Sequence, residues 1–311
     1  MLSRVAERTY WLARYLERAE NLARICNVFG KLFLDLPQSA GIGWLQILSI
    51  VGVSEATKDD DACTSSSAAI DLLVFRQDEQ SSLYSSVMMA RENARTSRDV
   101  LPTEAWLVIN KLYLLVRNES VASGFDGNLH QYLAAVVEAC HQLNGLLAGT
   151  MSHGVPHRLM VVGRHLERAD MTTRTIDAAA SMLMTEREEL LPLQSSLWAA
   201  VLRSVSGYQM YRQYVRRRIL ADDVIGFLMA NAEFPRSITY CVDRLVRSST
   251  QLPRHGPILD SILPLQERLA GVQSAQLTSA ELHELIDTLQ SDIGLVHQAI
   301  TDNWFDVWKH K

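Results

Sequence analysis

Along residues 4–34 the apolar positions Leu12, Leu16, Ala19, Ala23 and Cys26 recur at spacings of four and three, the period of one buried helical stripe. A long helix is predicted there, ended by Asp35-Leu-Pro37, and a shorter one over 43–53 around Trp44. Residues 58–67, Lys-Asp-Asp-Asp-Ala-Cys-Thr-Ser-Ser-Ser, are polar and compositionally simple, which predicts a mobile loop. Helices over 68–75 and 81–100 follow. Pro102 then opens another in the first-turn position proline favours, and 128–147 completes the first half. Beyond residue 150 the plan is repeated, with helices predicted over 157–183, 193–218, 222–229, 237–249, 257–272 and 278–304. No run alternates apolar and polar residues between turn signals, so the predicted fold class is all-α, a helical bundle.

The repetition extends to the residues themselves. Arg14-Tyr-Leu-Glu-Arg-Ala-Glu20 returns as Arg164-His-Leu-Glu-Arg-Ala-Asp170, each followed four residues later by an arginine, Arg24 and Arg174. Trp44 and Leu48 return as Trp198 and Leu202, and Leu73 and Ser82 as Leu228 and Ser237. Landmarks in one order at nearly constant offset predict two tandem pseudo-symmetric repeats, about 1–150 and 151–311, within one domain spanning 1–311. The turn at 149–156 is no flexible linker, so long helices from both halves are expected to pack into one body.

Composition narrows the function classes. The 311 residues carry 48% hydrophobic and 21% charged positions and a formal charge of −5, as a globular chain does. That charge, without a basic tail, argues against nucleic acid as a partner. No segment approaches the ~20 apolar residues a membrane helix needs, and Met1 leads into an amphipathic pattern, so a cytoplasmic location without membrane association is expected. Cys26, Cys63, Cys140 and Cys241 are isolated and read as reduced packing residues. Of the 30 basic residues 25 are arginine, the side chain that grips carboxylate and phosphate with a planar fork.

On the first helix Arg14, Glu17, Arg18, Asn21 and Arg24 share an arc of about 120° opposite the apolar stripe. Three readings of this face are open. It is a solvated surface of weak ion pairs; or the two motif helices lie side by side and Glu17 reaches Arg168 while Glu167 reaches Arg18, a buried clasp; or the two faces line a groove for a peptide or an anionic small molecule. In the groove reading Arg14, Arg18, Arg164 and Arg168 hold carboxylate or phosphate, Glu17 and Glu167 orient them, and Asn21, Arg24, Asp170, Arg174, Arg91, Arg95 and Arg236 add to the wall. An enzyme reading instead makes Glu17 and Glu167 general acid/base groups, although neighbouring arginines depress their pKa.

Other chemistry finds less support. Glu17/Glu20 and Glu167/Asp170 offer carboxylates three apart, but no histidine stands at ligand spacing and an arginine follows each glutamate, so no metal and no cofactor is expected. Gly-x-Ser-x-Gly and the phosphate-binding glycine loops are missing, and Ser82 and Ser237 read as helix starts. Arg216-Arg-Arg218 reads as a solvated helix end.

Over nearly its full length the chain resembles the bacterial alpha-E family, helical proteins named for a Glu-Arg motif. The resemblance rests on residues 10–24, on Ala90-Arg-Glu-Asn-Ala-Arg95, on 162–170 and on Glu233-Phe-Pro-Arg-Ser237. It implies association with circularly permuted ATP-grasp ligases, beside transglutaminase-like proteins and a proteasome-related peptidase, hence a pathway that makes or trims amide bonds on a peptide. It implies no activity for the helical domain itself. The chain departs from the family pattern at Arg76 and Asn231, where an Asp is usual, and at Glu79-Gln80, where the family has Asn-Pro; any site shaped by the first-half segment is put in question. The expected function is a non-catalytic binding or accessory subunit of an ATP-grasp amide or peptide ligase, with oligomeric state left open.

Overall fold

A computed structural model of the chain describes residues 3–36, 43–51, 66–121, 128–183, 193–272 and 278–305. All regular structure among them is helical. In the first half α1 (Ser3–Asp35) and α2 (Trp44–Val51) precede α3 (Ser66–Ile70), which runs into a π-helical turn at Asp71–Phe75. Then come α4 (Leu83–Arg95), α5 (Thr103–Val121) and α6 (Leu129–Thr150). The second half holds α7 (Val155–Leu183), α8 (Gln194–Ser204), α9 (Tyr208–Tyr214), α10 (Ala221–Ala230), α11 (Ile238–Ser249), α12 (Gly256–Ala270) and α13 (Ser279–Ile300), the last continued by a π-turn at Thr301–Phe305.

Three boundaries differ from the sequence prediction, each for a local reason. The helix expected over 81–100 stops at Arg95, because the Thr96 hydroxyl bonds back to the carbonyl of Glu92 and a 3₁₀ turn, Arg98–Val100, takes over. The helix expected over 193–218 is two. Gly207 N–H bonds to Leu202 O at 2.7 Å and Ser206 N–H to Arg203 O at 2.9 Å, with Ser206 in the left-handed region at φ 53°, a Schellman ending. Arg216-Arg-Arg218 consequently lies beyond α9, in irregular and exposed chain rather than at a helix end. Of the predicted 58–67 loop, residues 58–65, with Cys63, lie outside the described residues, while Ser66 and Ser67 open α3.

Both predicted helix-start serines cap as expected. Ser82 Oγ accepts from Ser85 N–H at 3.0 Å and donates to Arg76 O; Ser237 Oγ accepts from Tyr240 N–H at 3.1 Å and donates to Asn231 O. The two segments, 155 residues apart, thus enter α4 and α11 through the same bonds.

At the centre α1 runs parallel to α7. Their side-chain bonds join residues separated by 149 to 153 positions, so the two motifs lie level with each other and the glutamate of each meets the following arginine of the other. The approach is closest at Gly163, where a Cβ would strike the Tyr10 carbonyl. α4 and α6 flank α1, and α11 and α13 flank α7, while the short helices cross over: α2 packs on α7 and α8 on α1. One hydrophobic cluster runs through both halves. The predicted stripe Leu12, Leu16, Ala19, Ala23 and Cys26 is buried within it. No helix among the described residues is long and apolar enough to cross a membrane.

Candidate functional site

Because α1 and α7 pack against each other at the centre, much of their charged faces meets across the contact rather than in solvent. Arg168 grips Glu17 with Nε and Nη2 at 2.8 and 2.7 Å, and Arg18 grips Glu167 with Nε and Nη2 at 2.6 and 3.3 Å. These are the reciprocal pairs the repeat suggested. Glu17 and Glu167 are 2% and 1% exposed, which rules out a solvated face. Each glutamate takes a second arginine. Arg14 Nε donates to Glu167 at 2.7 Å, with its guanidinium also lying over the Trp11 ring, and Arg236 Nη1 donates to Glu17 at 3.0 Å.

Burial opposes ionisation of Glu17, but Arg168 and Arg236 outweigh it and hold the carboxyl below its ordinary range. Burial likewise opposes ionisation of Glu167, and Arg14 and Arg18 overcome it, bringing its pKa to about 2. Both glutamates are therefore anions at neutral pH. The forks of Arg14, Arg18, Arg168 and Arg236, expected to face an anionic ligand, are engaged internally.

Beside this clasp the two motif copies part company. On α1, Glu20 accepts from Arg24 and Arg236, and from Asn144 at 3.3 Å, with His141 Nε2 also 3.3 Å away. Arg236 in addition donates to Asn21 Oδ1 at 2.8 Å. Burial disfavours the Glu20 anion, yet His141, Arg236 and Arg24 together depress its pKa strongly. Arg24 also reaches the Ser206 hydroxyl, tying the left-handed residue at the end of α8 to the site. On α7, Asp170 stands where Glu20 stands, and Arg174 Nε, at 3.1 Å from both oxygens, is its hydrogen-bonding partner. Burial raises the Asp170 pKa, Arg174 only partly offsets this, and Glu167 adds to the rise.

Asp170 opens onto a cleft of about 590 Å³, walled by Arg18, Glu167 and Arg174 and by the 78–81 loop that precedes α4. Arg18 keeps 25% of its side-chain surface exposed there, against 11% for Arg168 on the closed side. Sequence reasoning put this first-half loop in question as a site; the structure makes it the wall of the open one. Glu20 entered the sequence reading only as a carboxylate weighed for metal, Glu79 only as a departure from the family pattern and Asp78 not at all, although aligning Ser81 with Arg236 and Glu20 with Asp170 in the repeat carries the signal.

The remaining predicted residues divide. Arg164 is half-buried and makes no hydrogen bond or ion pair with the described residues; burial lowers its pKa, and Arg168 and Arg236 add to this against Glu17 and Glu20. Arg91 and Arg95 do not join the site. Arg91 donates to Asn110 at 2.9 Å and lies over the Tyr113 ring, and Arg95 pairs with Glu92 on the exposed face of α4. Among the described residues, one group offers metal-ligand atoms close together: Asp177, His283 and Asp287, within 4.8 Å of one another on the surface of α7 and α13. His283 bonds to Asp177 at 2.7 Å there, and that bond raises its pKa above the ordinary histidine value.

Comparison with known proteins places this architecture. Residues 1–305 match the model of the Alpha-E family, described as a predicted alpha-helical domain with a conserved ER motif, and the chain belongs to that family. The ER pairs here are Glu17-Arg18 and Glu167-Arg168. The chain is similar to the uncharacterized protein Mb2597 of Mycobacterium bovis, at 24% identity over 268 residues covering 80% of this chain and 30% of that protein. The uncharacterized proteins MT2643 and Rv2567 of Mycobacterium tuberculosis match with the same identity and coverage. The chain thus spans about a third of the length of these curated relatives. No solved structure matches it.

Proposed function

We propose that this Alpha-E chain is a non-catalytic binding subunit that works in the cytoplasm with an ATP-grasp-type amide or peptide ligase. On this reading the four-arginine, two-glutamate core is a clasp that holds α1 and α7 in register, and the cleft beside Asp170 is the surface that meets a peptide or the partner. The observation that carries it is the state of Glu17 and Glu167: each is buried, ionised and gripped by two arginines. A general acid or base needs a pKa near the working pH, and Glu167, although it borders the cleft, is held at about 2 by Arg14 and Arg18. The shared core and the matching element order in 1–150 and 151–311 fit a duplicated unit whose two copies make one body.

The ligase partner rests on the family resemblance. In the relatives the matching stretch is 30% of a longer protein, so there it stands beside further polypeptide. A catalytic alternative, if pursued, belongs to Asp170 rather than to the motif glutamates, since its raised pKa and open cleft suit proton transfer better.

The test is co-purification of the tagged chain with an ATP-grasp-type ligase from the same organism, the partner the family resemblance implies. A complex with the wild type, lost in Asp78→Lys/Glu79→Lys at unchanged melting temperature, is the expected result. No complex, or amide-bond turnover by the chain alone, would overturn the proposal.

A further inference from the structure

We infer that the cleft beside the second motif copy is a socket for a guanidinium group, the side chain of an arginine brought by a peptide or partner. This rests on the cleft being the binding surface, and goes further by naming what enters it.

The molecule carries its own precedent. The loop before α11 and the loop before α4 are closed by the same serine-cap bonds, at Ser237 and Ser82, so each presents the residue before its serine to the long helix beside it. In the second half that residue is Arg236, and its two terminal nitrogens reach Glu17, Glu20 and Asn21 of α1 together. In the first half it is Ser81, facing Glu167, Asp170 and Met171 of α7, the counterparts of those three. Serine is too short to reach them, and the volume that a guanidinium fills in one copy is open in the other.

The carboxylates follow the same logic. Glu20 has Arg24 and Arg236, whereas Asp170 has Arg174 and lacks the second guanidinium. Asp78, Glu79, Glu167 and Asp170 line the cleft against Arg18 and Arg174, an excess of two negative charges. Two lining arginines are no bar, because Arg236 itself sits beside Arg168 and Arg24 and is held there by Glu17 and Glu20. The occupant has the shape of a fork. One planar group bridging acceptors on successive helical turns is what arginine supplies and what a compact ammonium does not. Met171, in place of Asn21, offers apolar surface to the stem. The cleft also falls within the ~300–1,000 Å³ usual for small-ligand sites.

The test is calorimetric titration of the full chain with N-acetyl-arginine amide, its neutral isostere N-acetyl-citrulline amide, and the peptide acetyl-Gly-Arg-Gly-amide. Saturable binding of the arginine probes is expected, with citrulline at least about tenfold weaker for want of the charge. Asp170→Asn should weaken the arginine probes by about tenfold or more, and Ser81→Arg should abolish their binding by filling the socket internally. A peptide about tenfold tighter than the amide identifies a protein-borne arginine, and equal affinities identify a free guanidinium compound. Citrulline binding equal to arginine, no saturation with the wild type, or undiminished binding in folded Ser81→Arg would each overturn the inference. Should Ser81→Arg not fold, Asp170→Asn decides alone. Probe binding without a ligase complex leaves the socket standing and removes the ligase; a ligase complex with no probe binding does the reverse.

Discussion

Glu20 and Asp170 hold the same place in the two motif copies, yet Glu20 is surrounded by Arg24, Arg236, His141 and Asn144 while Asp170 hydrogen-bonds to Arg174 and faces a cleft. The long helices themselves are matched: Glu17 and Glu167 are both buried and both doubly paired. The difference enters from the side, through a loop that ends in arginine in one half and serine in the other. The same Glu-Arg motif is thus sealed in one copy and accessible in the other. One copy completes its charge network internally and the other leaves a place in it.

The comparison breaks most forcefully at the clasp. Glu17→Gln leaves Arg168 and Arg236 buried beside a neutral amide, and is expected to cost about 3–5 kcal/mol in chemical unfolding. Glu167→Gln should cost less, since one of its two partners, Arg18, reaches solvent through the cleft. Next is the contrast between Glu20→Gln and Asp170→Asn. The first removes the carboxylate that holds Arg24 and Arg236 and lowers the melting temperature; the second removes a charge that burial disfavours and leaves it unchanged or raised.

Acid sharpens the same contrast. The Glu167 pKa is depressed on folding, so its contribution is present above the ordinary value of 4.5 and is lost as pH falls toward about 2. The Asp170 pKa is raised, so its contribution has the opposite sign, complete below 3.8 and lost as pH rises through its folded value. Carboxyl carbon NMR titration of the two side chains should find Glu167 below and Asp170 above their ordinary values. Of smaller effect, Gly163→Ala forces α1 and α7 apart at Tyr10 and should cost about 1–3 kcal/mol as other overpacked contacts do. At the bottom of the scale, Arg95→Ala should leave both stability and probe binding unmoved, because Arg95 only pairs with Glu92 in solvent.

Much of this architecture was legible beforehand. The apolar stripe of α1 and the serine caps at Ser82 and Ser237 follow from periodicity and cap chemistry, and the reciprocal pairing of Glu17 with Arg168 was one of three readings that the recurring motif left open. Helix ends at Thr96 and Ser206 were not, since amphipathic spacing continues past both and only a hydroxyl bond and a left-handed residue stop the chain. Arg91 and Arg95 were misread for a related reason: they share the look of the first motif, but α4 turns Arg95 to solvent and lays Arg91 over Tyr113. The accessible copy was hidden because the signal is a missing arginine: the repeat sets Ser81 against Arg236, but only the bonds of Arg236 to Glu17, Glu20 and Asn21 show what the first half lacks.

The most direct test of the sealed and accessible copies is a reciprocal exchange, Arg236→Ser against Ser81→Arg, measured by equilibrium unfolding. Arg236→Ser should lose about 3–5 kcal/mol, since Glu17 and Glu20 each lose one of their two arginines in the core, while Ser81→Arg should lose no more than about 1 kcal/mol, that of the Ser81 hydroxyl bond to Glu79, because its guanidinium enters a place already shaped for it. Equal losses in the two variants would contradict the account.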